Sequence, residues 1–146
     1  MKTYSQKQSE VARKWYVIDA SEAPLGRVST VAASLLIGKG KPSITPHVDN
    51  GDFVVIINSD NLKVTGGKET KKMYYRHSSY PGGLKSATLE EKMAKDSTQV
   101  ITLAIRGMLP VNKLRPDRLA RLKVYKTSEH SHNAQKPEVL SVKGSK

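Results

Sequence analysis

The stretch YYRHSSYPGG, residues 74–83, sets an imidazole, a guanidinium, two hydroxyls and three phenols in front of a Pro-Gly-Gly turn. For hydrolysis, His77 would have to take a proton from a serine. A carboxylate would have to orient the ring, and an oxyanion hole would have to stand ready, usually with the serine on a sharp G-x-S-x-G turn. No such turn is spelled here. His77 and Ser78 are adjacent, and adjacent side chains on an extended chain point to opposite faces, so no catalytic residue is assigned. The same residues suit contact with RNA. Arg76 and His77 fall at a strand end with Lys71 and Lys72 upstream, Tyr80 is placed to stack, and Gly82 and Gly83 allow close backbone approach.

Three other constellations were weighed in the same way. GKGKPS (38–43) lacks the spacing of a nucleotide-phosphate loop and the third glycine of a dinucleotide fingerprint. It reads as a basic loop in which Lys39 and Lys41 meet a backbone phosphate. His130-Ser131-His132 offers two imidazoles where a zinc site needs three or four ligands. Only Glu129 is near and no thiol exists, so no metal is expected and the rings are assigned to stacking or hydrogen bonding with RNA. His47, in the loop 38–52, is assigned likewise. Lastly, Arg106, Lys113, Arg115, Arg118, Arg121, Lys123 and Lys126 are opposed along the chain only by Asp117. Arg115, Arg118 and Arg121 are three apart and predict a ridge on one helix, a phosphate-binding face.

The elements that must carry these residues follow from apolar patterning. WYVIDA (15–20) and FVVIIN (53–58) are unbroken apolar runs, the mark of strands buried on both faces of a parallel sheet. Between them Leu25, Val28, Ala32, Leu35 and Leu36 recur at helical spacing, with Pro24 to start the helix and Gly38 to stop it. LKVT (62–65) and KKMYYRH (71–77) read as two short strands joined through Gly66-Gly67, with Lys68 beside the turn. TLEEKMAKD (88–96) reads as a helix with Thr88 and Glu91 in capping-box spacing, continuing through 97–109. Asn112 is placed to cap another helix reaching Ala120, with Pro116 in its first turn, and LKVY (122–125) is the expected final strand. Residues 1–14 are expected to form a polar arm, 15–126 the α/β domain, and 127–146 a tail that is irregular or extended.

Composition narrows the class. Lysine and arginine total 25 against 13 acidic residues, a formal net charge of +12. A chain this basic binds nucleic acid at least non-specifically. It has no cysteine, which excludes thiol catalysis and thiolate-bound zinc. No apolar run approaches the roughly 20 residues of a membrane span, and the first fifteen residues are not expected to act as a secretory signal. The rivals to RNA binding are phosphoester chemistry at the sheet's loops and a basic protein-interaction module.

In order along the chain, WYVIDA, LGR (25–27), TPHVDNGDFVVIIN (45–58), KVTGGK (63–68), YYRHSSYPGG, IRGMLP (105–110), LKVY and EHSHNAQKP (129–137) resemble the bacterial and organellar large-subunit ribosomal protein thirteen family from about residue 15 to 140. The resemblance implies a three-layer α/β/α domain with a four-stranded parallel sheet. It also implies a non-catalytic role, without cofactor, metal or small-molecule substrate and away from membranes: binding large-subunit ribosomal RNA beside neighbouring ribosomal proteins, early in assembly, in a bacterial cytoplasm or an organelle. The family commonly has glycine where Ser79 stands, and Leu-Gly-Arg where this chain has Leu114-Arg115-Pro116. The expected RNA contacts are thus Lys39, Lys41, His47, Lys68, Lys71, Lys72, Arg76, His77, Tyr80, Gly82, Gly83, Arg106, Arg118, Arg121, Lys123, His130 and His132.

Overall fold

The computed structural model describes residues 4–142; the outermost parts of the expected arm (1–3) and tail (143–146) lie outside the described residues. The two apolar runs form β1 (Trp15–Asp19) and β2 (Phe53–Ile57), paired in parallel with Trp15 opposite Phe53 and Asp19 opposite Ile57. Helix α1 (Leu25–Ile37) connects them. It ends where Gly38 adopts a left-handed φ of 84°, with the Gly38 amide donating to the carbonyls of Ser34 and Leu35.

After β2 the chain departs from the expected pattern. Residues 62–65 form no strand; Lys63 makes only an isolated bridge to Pro24. Gly67 leads into a one-turn helix, α2 (Lys68–Lys71), and β3 (Met73–His77) pairs antiparallel with an unexpected strand, β4 (Leu84–Thr88). The expected pair of strands joined through Gly66-Gly67 is therefore replaced by a two-stranded ribbon whose tip is 78–83.

Helix α3 (Leu89–Met108) opens with the expected capping box: the Thr88 hydroxyl accepts from the Glu91 amide, and the Glu91 carboxylate accepts from the Thr88 amide. It is broken at Asp96 (φ −160°, ψ 102°), whose carboxylate accepts from the amide and hydroxyl of Thr98 and so caps the second half. The next helix, α4 (Arg115–Ala120), is shorter than expected, because the Asn112 side chain holds a turn by accepting from the Leu114 amide instead of capping a helix.

Strand β5 (Leu122–Val124) is not the last. Within the tail, β6 (Glu138–Val139) pairs with β1, giving a four-stranded parallel sheet in the order β5-β2-β1-β6. The fold class is thus α/β, as the sequence suggested. Both early crossovers step the same way across the sheet, and right-handed connections then put α1 and α3 on one face. There Ile18, Val54, Ile56 and Leu122 meet Val28, Leu36, Ile101 and Ile105 in one buried cluster. The β5–β6 connection steps back over the other face. Its layer is an extended crossover with a single 3-10 turn (Asn133–Gln135) in place of a long helix. Under it Trp15 stacks on Phe53 at 4.3 Å between ring centroids, with His132 tilted 4.9 Å from Trp15.

Candidate nucleic-acid interface

The expected contact residues divide into two sets, one facing solvent and one facing inward. The exposed set is centred on the ribbon. Lys68 and Lys71 are exposed on α2, with Lys72 half-buried just beyond; these three line one groove together with Leu103, Gly107 and Met108 of α3. Across Leu103 a second groove is lined by Tyr75, Arg76, Lys85, Lys92 and Arg106. Among the described residues none of these seven cations, Lys68, Lys71, Lys72, Arg76, Lys85, Lys92 and Arg106, makes an ion pair. Packing of α2 and β4 against α3 gathers charges that are far apart in sequence onto one continuous basic surface. Lys72 and Lys92 lie over the Tyr74 ring, 5.3 and 5.8 Å from its centroid. That ring packs against the core. Its hydroxyl is sealed from solvent without a hydrogen-bond partner among the described residues, and burial raises its pKa.

At the ribbon tip, the Ser78 amide donates to the Gly83 carbonyl and the Gly83 amide to Tyr80. A β-carbon at Gly83 would lie 2.8 Å from the Tyr80 backbone carbonyl oxygen as well as against the Ser78 hydroxyl, so glycine is favoured there. Ser79 has φ 69°, the left-handed conformation that glycine adopts without strain. The His77 ring spends Nδ1 on the Ser79 amide at 2.9 Å and so braces the tip. Tyr80 projects with 75% of its surface exposed.

The inward set corrects the expectation of an arginine ridge. Arg118 and Arg121 are only 3% and 7% exposed. They converge on Asp49, which reaches them from a loop some seventy residues earlier. Arg121 grips the carboxylate with both terminal nitrogens, Nη2 at 2.7 Å from Oδ1, and also donates from Nη2 to the Leu36 carbonyl at 3.2 Å. Arg118 Nε adds a longer contact at 3.4 Å. Burial opposes the charge on Asp49, but the hydrogen bond from Arg121 and the charges of both arginines outweigh it and hold the carboxyl below its usual range. Gly51 makes the approach possible, since a β-carbon there would lie 1.8 Å from the Leu36 carbonyl oxygen. These arginines fasten α4 and β5 to the end of α1.

Lys41 is likewise spent within the chain. Its ammonium donates to the Asp52 carboxylate at 2.6 Å, the Ala12 carbonyl at 2.8 Å and the Asn50 carbonyl at 3.0 Å, using all three of its protons. The arm it ties down is also held by Gln6 to Thr45, Arg13 to the Asp49 carbonyl and Lys14 to Asp52. His132 and His130 are half-buried: the His132 ring is hydrogen-bonded to the Tyr125 hydroxyl at 3.0 Å, and His130 Nδ1 accepts from the His132 amide. They hold the tail on the sheet instead of offering free rings. Lys39, His47 and Lys123 are exposed, but on segments outside the ribbon surface, with His47 within 3.4 Å of the Ser5 hydroxyl.

Lys85 and Lys92, two of the best-placed cations, were missed. The signal for Lys85 was the five-residue segment directly after Pro-Gly-Gly, LKSAT, which could have been read as the return strand of a hairpin, while Lys92 lay on the expected helix 88–96. Among the described residues no group of three or more metal-ligating side chains is clustered, and no helix is long and apolar enough to cross a membrane.

Residues 13–131 match the family model for ribosomal protein L13. The chain is 54% identical over 142 residues to the large ribosomal subunit protein uL13 of Listeria innocua, covering 97% of this chain and 98% of the relative. It is 51% identical over 142 residues to that of Streptomyces coelicolor, 97% of each, and 50% identical over 139 residues to that of a Roseiflexus species, 95% of each. With most of its length matched by the model and relatives of this identity along nearly the whole chain, the protein belongs to the ribosomal protein L13 family.

Proposed function

We propose that this chain is a structural constituent of the large ribosomal subunit, without catalytic activity. It grips large-subunit ribosomal RNA with the ribbon surface and supports early assembly in the ribosome of a bacterial cytoplasm. The observation that carries the RNA-binding face is the run of seven cations, without an ion pair among the described residues, across α2, the ribbon and both halves of α3, beside the exposed rings of Tyr75 and Tyr80. Cations left without acidic partners are what counterion release from a polyanion requires. Tyrosines at the same surface supply stacking, which phosphates alone do not use. The names of the relatives support the ribosomal setting.

On this reading the RNA-contacting residues are Lys68, Lys71, Lys72, Arg76, Tyr80, Gly82 and Arg106, with Lys85 and Lys92 added; Lys39, His47 and Lys123 would serve a second RNA segment. Gly83 and His77 shape the tip, while Lys41, Arg118, Arg121, His130 and His132 hold the mount. Neighbouring ribosomal proteins are the other expected partners. The test is binding of purified protein to large-subunit ribosomal RNA and to an unrelated structured RNA of equal length, across a salt series. Preference for the ribosomal RNA that survives moderate salt supports the proposal. Equal and steeply salt-sensitive binding to both would reduce it to charge alone.

A further inference from the structure

The groove beside α2 is built differently from the rest of the basic surface. It has a volume of about 630 Å³, a floor of Leu25, Leu103, Ala104 and Met108, and a rim of Lys68, Lys71 and Lys72. Two of its lining residues, Gly26 and Gly107, lie within helices, one near the start of α1 and one near the end of α3. Glycine is the poorest helix former after proline, so a helical glycine usually answers to something that comes close. Here nothing in the chain does: a β-carbon built at either position meets no atom within 4 Å, and neither residue has a positive φ. Both residues line the groove, so bulk added at either meets open space there and not the chain.

We infer that this groove seats a single unpaired strand of RNA. Its ribose-phosphate backbone would run along the lysine rim, with at least one unstacked base laid on the apolar floor against Gly26 and Gly107. The charge of the rim selects a polyanion. The floor selects an unpaired strand over a duplex, because a duplex turns phosphates and riboses outward and keeps its base faces stacked inside. A base face set on aliphatic side chains, flanked by cations for its two phosphates, satisfies both parts of the groove at once. The inference rests on the RNA-binding reading above and deepens it from a surface to a strand conformation.

The test uses the full chain and a large-subunit ribosomal RNA transcript. Gly26→Leu and Gly107→Leu fill the groove, Gly107→Ala fills it least, and Ala94→Leu adds the same bulk at an exposed position of α3 outside it. Both glycine-to-leucine variants are expected to lose about tenfold or more in affinity, the scale of one base contact, without a lower melting temperature. Gly107→Ala should melt higher than the parent yet bind less tightly, a combination that a glycine without a part in binding does not produce. Because the chain has no cysteine, Met108→Cys gives a unique tether for a hydroxyl-radical source at the groove floor, and cleavage is expected within one single-stranded stretch.

Leucine variants that bind like Ala94→Leu, or cleavage confined to duplex, would overturn the inference while leaving the RNA-binding reading intact. Normal RNA affinity combined with failure to enter the assembled subunit would overturn it in favour of a protein segment. A parent protein with no preference for the ribosomal transcript would remove both.

Discussion

At the ribbon, seven basic side chains stand at the surface with no carboxylate to meet them; at the end of α1, two arginines turn inward and share one aspartate. Both regions are dense in cations. They differ in what surrounds the charge. The ribbon cations project from α2, a two-stranded sheet and α3, where water solvates them and an incoming phosphate can displace that water. Arg118 and Arg121 are buried, so their charge had to be matched within the fold, by Asp49 and the Leu36 carbonyl. A basic cluster in a basic protein is thus available to a partner only where the fold has left it unmatched.

The comparison breaks most sharply at Asp49. Asp49→Ala should strand two buried guanidiniums and cost about 3–5 kcal/mol of stability, read as a lower urea midpoint with unchanged slope. RNA affinity of the protein that remains folded should be unchanged. If affinity falls and stability does not, the two regions have been assigned the wrong way round. Acid should erase the same contribution. The folded-state pKa of Asp49 lies below its unfolded value of about 3.9. The stabilisation is therefore complete at neutral pH and is lost as pH falls through the depressed value. The gap in urea midpoint between the parent and Asp49→Ala should be full at pH 7 and should narrow as pH falls below about 3.9.

Next in size is the capping box. Thr88→Ala should remove about 1 kcal/mol, measured by thermal melting, because the start of α3 loses an acceptor for the Glu91 amide. Ser79→Gly should move stability the other way by up to about 1 kcal/mol, since φ 69° strains serine and not glycine. The smallest stability effect belongs to the ribbon. Arg76→Ala and Lys85→Ala should each shift unfolding by no more than about 0.5 kcal/mol. Each should also flatten the dependence of log affinity on log salt by about 0.7 to 0.9. Unchanged slopes in both variants would mean that this face does not meet phosphate.

The difference between the regions also explains what could be read from sequence. The strands at 15–19 and 53–57, helix α1 and the Thr88 cap were legible because burial on a repeating period and local capping chemistry are written in neighbouring residues. The break at Asp96 was half legible: Asp-Ser-Thr is cap chemistry, but the apolar stripe continues through it. Arg118 and Arg121 read as a ridge because their partner lies some seventy residues away, and no local pattern announces a loop folding back. The same holds for β6: Glu138 and Val139 carry no strand period, and pairing with Tyr16 and Val17 is decided entirely by the crossover. Within the candidate site, Arg76, Tyr80 and the lysines around α2 were accessible as local chemistry. Lys85 was only weakly signalled, because its place depends on a return strand of mostly polar residues, and Lys92, on the expected helix, joins the site only when that strand packs against it.

The late strand has a consequence for synthesis. Because β1 lies between β2 and β6, its second edge is satisfied only when residues 138–139 are in place, and Val142 then joins the core. Until residues 138–139 are free of the machinery making them, the first strand has a bare edge able to pair with another chain. A product cut short before residue 138 keeps that edge for good. Completion of the sheet therefore waits on residues 138–139, and only a chain that carries them covers the second edge of β1.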